Sequence, residues 1–286
     1  MDELFEAGGR DSLEYCFATC YLWRQAFGFR AARLGDRLIV QSGERHRTSY
    51  LFPAGSGPIE PAIDALIERA GGLGAPLKLT AVLPHQRAML EAAYPGAFAF
   101  EPTRADFDYV YEAEKLATLA GRKLSKKRNH IHQFVALYPD WQYEPLTMDN
   151  LGEARRMNQI WYTQPECEMK GDLLDEATAI NQAFEHFGPL NLMGGLLRVG
   201  GRAVAFTMGQ ELRPDMVLVH FEKALYEVTG AYTMINREFV RNACQGYRYV
   251  NREEDAGDAG LRQAKLSYQP AMLIEKFTAT YTAEGA

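Results

Sequence analysis

The stretch LVHFEKAL, residues 218–225, sets His220 and Glu222 at alternate positions of an otherwise apolar run. A β-strand's alternation puts these two on one face and Phe221 and Lys223 on the other. Ionisable groups on a buried strand are costly unless they are paired or used. A carboxylate beside an imidazole can take a proton from an attacking nucleophile or orient it; the two can equally form a hydrogen-bonded pair that only holds the strand. Further along, YVNREEDAGDAGLRQAKLSY, residues 249–268, ends a strand with Asn251, Arg252, Glu253, Glu254 and Asp255. A helix bearing Arg262 and Lys265 follows, after Gly257 and Gly260. Strand ends are where ligands of alternating α/β sheets commonly bind, and glycines let backbone approach a ligand closely. A solvated loop with a few ion pairs is the plain alternative.

The third constellation is GRKLSKKRNHIHQF, residues 121–134, which gathers Arg122, Lys123, Lys126, Lys127 and Arg128 with His130 and His132 in a chain of net charge −6. From Leu116 to Val135, Ala120, Leu124, Ile131 and Val135 recur near the ~3.6-residue period, so the spacing predicts a helix with an apolar stripe. Its cations suit phosphate or another polyanion, or a merely solvated face. His130 and His132 project from a helix about 200° apart and cannot share a metal. Neither G-x-S-x-G nor G-x-x-x-x-G-K-[ST] occurs.

The elements that must position these residues follow from length and pattern. A chain of 286 residues, 47% hydrophobic, has material for one large domain or two ordinary ones. No apolar run is long enough to span a bilayer, and the acidic start MDELFEAGGRDSLEY lacks a signal core. Cys16, Cys20, Cys167 and Cys244 form no C-x-x-C pair and read as reduced thiols. A cytoplasmic protein without integral membrane association is expected. DSLEYCFATCYLWRQAF reads as a helix with an Asp11–Glu14 capping box. A hairpin, a helix at PIEPAIDALIERAGG, a strand at LKLTAVL, a helix at PHQRAMLEAAY and a strand at FDYVYEA follow. The second half repeats the order: strand, two helices, a hairpin turning at Gly200–Gly201, the His220 strand, a helix at GAYTMINREFVRNACQG, a short strand and helix, and a closing strand at AMLIEKFTATY. The expectation is an α/β chain of two similar units with mixed, largely antiparallel sheets, residues 1–118 and 119–286.

FATCYLWRQAF, GRKLSKKRNHI, GGLLRVGGRAVAFTMG, HFEKA and NREEDAGDAGLRQAKLSY together resemble, in order and over nearly the whole chain, the DUF2156 family, related to the C-terminal domain of phosphatidylglycerol lysyltransferase. The resemblance implies two tandem GNAT-like folds and transfer of an acyl or aminoacyl group from an activated donor, such as an aminoacyl-tRNA, to an amine or hydroxyl. The acetyl-CoA motif Q/R-x-x-G-x-G/A is nearest to Glu227-Val-Thr-Gly230-Ala-Tyr232. Negative charge and bulk there oppose a pyrophosphate on backbone amides, so acetyl-CoA is disfavoured, and no cofactor is called for with certainty. On this reading Glu222 and His220, then Glu253 and Asp255, are the catalytic candidates. Lys223, Asn251, Arg252, Arg262, Lys265 and Tyr268 hold carboxylate, phosphate or oxyanion, while Arg122, Lys123, Lys126, Lys127 and Arg128 hold the donor's polyanionic part, a tRNA acceptor end included. Two rivals remain: a non-catalytic sensor of a phosphorylated small molecule, and a CoA-dependent N-acetyltransferase with an altered loop. The oligomeric state is not legible.

Overall fold

The computed structural model of the protein describes residues 1–43, 47–165, 167 and 171–282. Its elements begin with α1 (Asp2–Gly8), α2 (Phe17–Leu22), α3 (Arg24–Phe27), β1 (Arg30–Leu34), β2 (Arg37–Ser42), β3 (Ser49–Leu51), β4 (Ala54–Gly55), α4 (Glu60–Gly72), β5 (Lys78–Val82), α5 (Pro84–Ala93) and β6 (Phe98–Pro102). They continue with β7 (Asp108–Glu112), α6 (Ala113–Thr118), α7 (Ser125–Leu137), β8 (Gln142–Pro145), α8 (Leu151–Trp161), α9 (Gly171–Glu185), β9 (Met193–Val199), β10 (Arg202–Arg213) and β11 (Met216–Ala224). The last are α10 (Ala231–Ala243), β12 (Tyr249–Asn251), α11 (Ala259–Leu266), β13 (Met272–Ile274) and β14 (Phe277–Tyr281). No described helix is long and apolar enough to cross a membrane.

The chain divides into two units, each with a mixed, largely antiparallel sheet. The first comprises Met1–Asp108, Glu254–Asp258 and the stretch from Leu273; the second comprises Tyr109–Glu253 and Ala259–Met272. The boundary expected after residue 118 therefore falls at 108/109. The closing strand breaks at Glu275–Lys276 into β13 and β14, and β14 belongs to the first unit. The reason is non-local pairing: β14 lies between β5 and β6, antiparallel to both.

In the first unit the strand order is β1-β2-β3-β5-β14-β6, with one parallel pair, β3–β5. Helix α4 starts beside Pro61 and buries Ala62, Ile63, Leu66 and Ala70, one stripe at helical spacing. The predicted first helix is interrupted: a 3-10 turn at Leu13–Tyr15 precedes α2 and α3. Glu14 does not cap it. Its carboxylate accepts from Ser12 Oγ at 2.7 Å and pairs with the fully buried Lys276 ammonium at 2.7 Å, which also contacts Asp108 at 2.5 Å.

The second unit orders its strands β7-β12-β11-β10-β9-β8. The β9–β10 hairpin turns at Gly200 and Gly201, both at positive φ, as the two-residue turn requires. Helix α10 buries Met234, Ile235, Phe239 and Val240 together with polar Asn236. The predicted basic helix is also split. Helix α6 ends in a left-handed residue, Leu119, and α7 begins at Ser125. Leu124, in the turn before α7, and Ile131 and Phe134 on α7 are buried, while Val135 is exposed.

Removing one partner of a buried ion pair strands the other charge. Lys276→Met should lower unfolding free energy by about 3–5 kcal/mol, read from a denaturant midpoint. Burial, opposed by Lys276, pushes the Glu14 carboxyl up to about 7. A carboxyl raised in the folded state contributes stability that is complete below its ordinary value and is lost as pH rises through 7. Melting temperature should therefore fall between about pH 4.5 and 7 through this group, and Glu14→Gln should flatten that slope.

Candidate functional site

Strands β11 and β12 run parallel for only three pairs, Met216↔Tyr249, Val217↔Val250 and Leu218↔Asn251. Beyond them β11 continues to Ala224 while β12 has ended. On its other side β11 pairs with β10, and the register steps from Met208↔Phe221 to Gly209↔Val219. His220 is thus the extra residue of a β-bulge, a device that re-aims a side chain where pairing ends. Gly209 accommodates the bulge, since a Cβ there would meet Leu218 O at 2.3 Å.

Four charged or titratable side chains gather at this opening. His220 Nδ1 lies 3.0 Å from Glu253 Oε1. Glu222 Oε1 accepts from the Arg252 guanidinium at 2.9 Å, and Oε2 accepts from Asn236 Nδ2 at 2.9 Å. The two residues read as neighbours on one strand therefore do not bond each other; each is met by an adjacent residue just past β12. Asn251, fully buried, orients that turn by accepting the Glu253 N–H at 2.8 Å. Glu253 sits at φ 59°, a left-handed conformation costly for a non-glycine residue and often found at functional sites. Lys265 donates to the Arg252 carbonyl at 2.6 Å, and Tyr111 fixes the Lys265 carbonyl at 2.8 Å. Tyr268 forms an aromatic wall, with the Lys127 ammonium 3.9 Å and the Arg252 guanidinium 4.9 Å from its ring centre.

The electrostatics follow from burial. Desolvation pushes the His220 imidazole down to about 4, so it is neutral at pH 7. With Nδ1–H donated to Glu253, its Nε2 keeps a lone pair, and that atom is buried without a partner. Asn236 Oδ1 is likewise buried and unpartnered. Burial, then the Arg252 charge, lowers Lys127 to about 8.

The remaining expected residues are placed elsewhere. Asp255 belongs to the first unit, where it is fully buried, pairs with Arg104 at 3.1 Å and accepts the Gly257 N–H at 3.0 Å. Through these contacts it shapes the loop. Lys223 is matched by Glu176 at 2.7 Å and lies 3.7 Å from the Trp161 ring centre, so its charge is already neutralised. Arg128 donates to the carbonyls of Leu119 and Gly121 and closes the end of α6. Arg122, Lys123 and Lys126 are exposed, and Arg262 is half-buried on α11 beside Lys265. Of the basic run, only Lys127 reaches the Tyr268 wall among these contacts. Asn236 is the residue that pattern reading missed. Its signal is a polar side chain inside the buried stripe of α10, which must find a partner.

The family profile of the phosphatidylglycerol lysyltransferase C-terminal domain matches residues 6–280. The chain belongs to this family. A conserved protein of unknown function from Bacteroides thetaiotaomicron is 36% identical and superposes with a TM-score of 0.92, over 98% of this chain and 96% of that one. The C-terminal DUF2156 domain of an Agrobacterium fabrum protein assigned as a lysylphosphatidylglycerol synthetase shares the fold at 13% identity and TM-score 0.65, covering 98% and 92% of the two chains. FemX shares it at 10% identity and TM-score 0.61, covering 97% and 94%. An uncharacterised protein of Mycoplasmoides gallisepticum is 24% identical over 179 residues, and the match spans 54% of that relative's length. This family member thus keeps the shared fold while spanning about half of its curated relative.

Replacing Glu222 by Gln leaves the buried Arg252 guanidinium without a counter-charge. It should cost about 3 kcal/mol or more of stability, and circular dichroism melts check it. Asn236→Leu, which takes away only a neutral donor from Glu222, should cost about 1–3 kcal/mol.

Proposed function

We propose that the protein moves an activated acyl group, an aminoacyl ester foremost, onto an amine or hydroxyl at the opening between β11 and β12. The observation that carries this reading is the bulged His220, with Nδ1 held by Glu253 and Nε2 buried, neutral and unpartnered. An aminoacyl ester is already activated, so alignment and proton handling are the main work. The acceptor amine adds to the ester carbonyl, forming the C–N bond and a tetrahedral oxyanion. The proton on the new ammonium passes to His220 Nε2. The C–O bond then breaks, and the proton goes from Nε2 to the departing oxygen. The Glu253 carboxylate steadies the imidazolium while it lasts, as carboxylates do in other nucleophile–base–orienter sets. Arg252 and Lys127, on the Tyr268 ring, supply positive charge for the oxyanion. Glu222 positions Arg252; with both oxygens engaged, it is less suited to act as the base than the pattern implied. A tRNA is the donor carrier that the basic run suits best, through exposed Arg122, Lys123 and Lys126.

The start of α10 favours this donor over acetyl-CoA. Gly230, at φ 82°, caps the helix beneath α7, and a Cβ there would meet His130 O at 2.6 Å. The His130 ring lies 3.5 Å from Thr233 Oγ1 in the first turn. Helix α7 thus covers backbone amides that a pyrophosphate would need. Glu227 is turned to Gln164 and Arg202, and Tyr232 accepts from the Trp161 indole at 2.9 Å.

His220→Gln should lower kcat for transfer from an aminoacylated donor by roughly 100-fold or more, with the melting temperature little changed. Full turnover in a folded H220Q protein would sink the assignment. Because burial holds the imidazole near 4, activity should persist down the pH scale and fall only as pH drops toward 4, where Nε2 becomes protonated. Isothermal calorimetry should detect no micromolar binding of CoA. Lys126→Glu should weaken donor affinity in low salt and matter less in high salt.

A further inference from the structure

Two carboxylates fix the hydrogen-bond polarity of the opening in the second unit. An ionised carboxylate only accepts, so a neighbour bonded to one must point a hydrogen at it. Glu253 Oε1 lies 3.0 Å from His220 Nδ1, which therefore carries the imidazole hydrogen and leaves Nε2 as an acceptor. Glu222 Oε2 lies 2.9 Å from Asn236 Nδ2, which leaves Asn236 Oδ1 as an acceptor too. Both Nε2 and Oδ1 are buried, and among the described residues neither has a hydrogen-bond partner. Asn236 is 1% exposed and His220 6%, so bulk water does not supply the missing hydrogens. Arg252 spends its nearest contact on Glu222 Oε1, at 2.9 Å, and reaches neither atom. His220 and Glu222, to which Asn236 is bonded, are two residues apart on β11, about 7 Å along a strand. A nitrogen that donates to two acceptors bridges about 6 Å, so one substrate atom has the reach to meet both.

We infer that the acyl acceptor is a primary amine, whose two hydrogens meet His220 Nε2 and Asn236 Oδ1, and that Asn236 selects it over a hydroxyl. The inference rests on the transfer reading above and names that reaction's acceptor. Both hydrogens of an amine can be donated while the nitrogen lone pair stays free to attack. As the C–N bond forms, the nitrogen turns positive and its hydrogens become stronger donors. Both bonds therefore tighten toward the transition state, which is where binding raises the rate. The hydrogen on Nε2 passes to the imidazole and then to the departing oxygen as the C–O bond breaks. The hydrogen on Asn236 Oδ1 stays behind as the amide N–H of the product. A hydroxyl brings a single hydrogen. Given to Nε2, it leaves Oδ1 desolvated and unmet, a loss of about ten-fold or more. A secondary amine fails in the same way. His220 alone cannot discriminate, because amine and hydroxyl each offer it a proton; the choice falls to Asn236.

The test measures acyl transfer by the full chain from bulk tRNA charged with radiolabelled amino acids to three small acceptors that are uncharged at pH 7. Methoxyamine offers two N–H hydrogens, N,O-dimethylhydroxylamine offers one, and methanol offers one O–H. Each rate is divided by the rate without protein. Methoxyamine should then be preferred to either of the others by about ten-fold or more in kcat/KM. Asn236→Leu removes the unmet oxygen and should cut both preferences about ten-fold, whereas His220→Gln should slow all three acceptors. If N236L does not fold, the three acceptors on the unaltered protein still decide. Transfer to N,O-dimethylhydroxylamine or methanol as fast as to methoxyamine would overturn this inference and leave the transfer reading standing, as would unchanged preferences in a folded N236L protein. No transfer to any of the three would overturn both.

Discussion

The second unit depends on one mismatch in length: β11 runs on where β12 has stopped. A strand edge inside a folded unit presents backbone and side-chain groups that no ladder satisfies. The molecule meets this by a bulge at His220 on one strand and a left-handed residue, Glu253, just beyond the other. The two irregularities are bonded to each other through the imidazole and the carboxylate. Glu222 and Arg252 repeat the arrangement one residue along. Asn251, Lys265 and Tyr111 then act on the same short turn from behind.

Two buried charge networks make an instructive contrast. Around Lys276 in the first unit, the ammonium meets both carboxylates directly at 2.5 and 2.7 Å. Such closure fits a role in holding secondary structure together. Around Glu222 the ionic pairs also close, yet His220 Nε2 and Asn236 Oδ1 remain buried with unused capacity. Unmet polar capacity is expensive, and its persistence in a pre-shaped opening fits a group awaiting a substrate.

Much of this was legible in the chain itself, for identifiable reasons. The strand at LVHFEKAL, the Gly200–Gly201 turn and the apolar stripes of α4 and α10 are local signals, and the structure follows them. The meeting of the His220 strand with residues 251–253 followed from the strand-end rule. What eluded the pattern is non-local or one residue deep. The bulge shifts a single register position, so alternation could not reveal that His220 pairs with Glu253 and leaves Glu222 to Arg252. Arg128 looked like an anion ligand because a side chain that caps backbone carbonyls has the same composition as one that binds phosphate. Asp255 looked like a neighbour of Glu253 because it is only two residues away. Between them the chain passes into the other unit.

The place of β14 has a consequence for how the protein is made. The strand occupies an interior position in the first unit's sheet, with β5 on one side and β6 on the other. During synthesis, β5 ends 195 residues and β6 ends 175 residues before the start of the strand that joins them. Until then their facing edges remain open templates for another extended chain. The second unit, whose strands lie in a nearly unbroken run of sequence, can close first. The half of the protein begun earliest is therefore finished last, and the interval is when a chaperone, or an unwanted neighbour, has access to it.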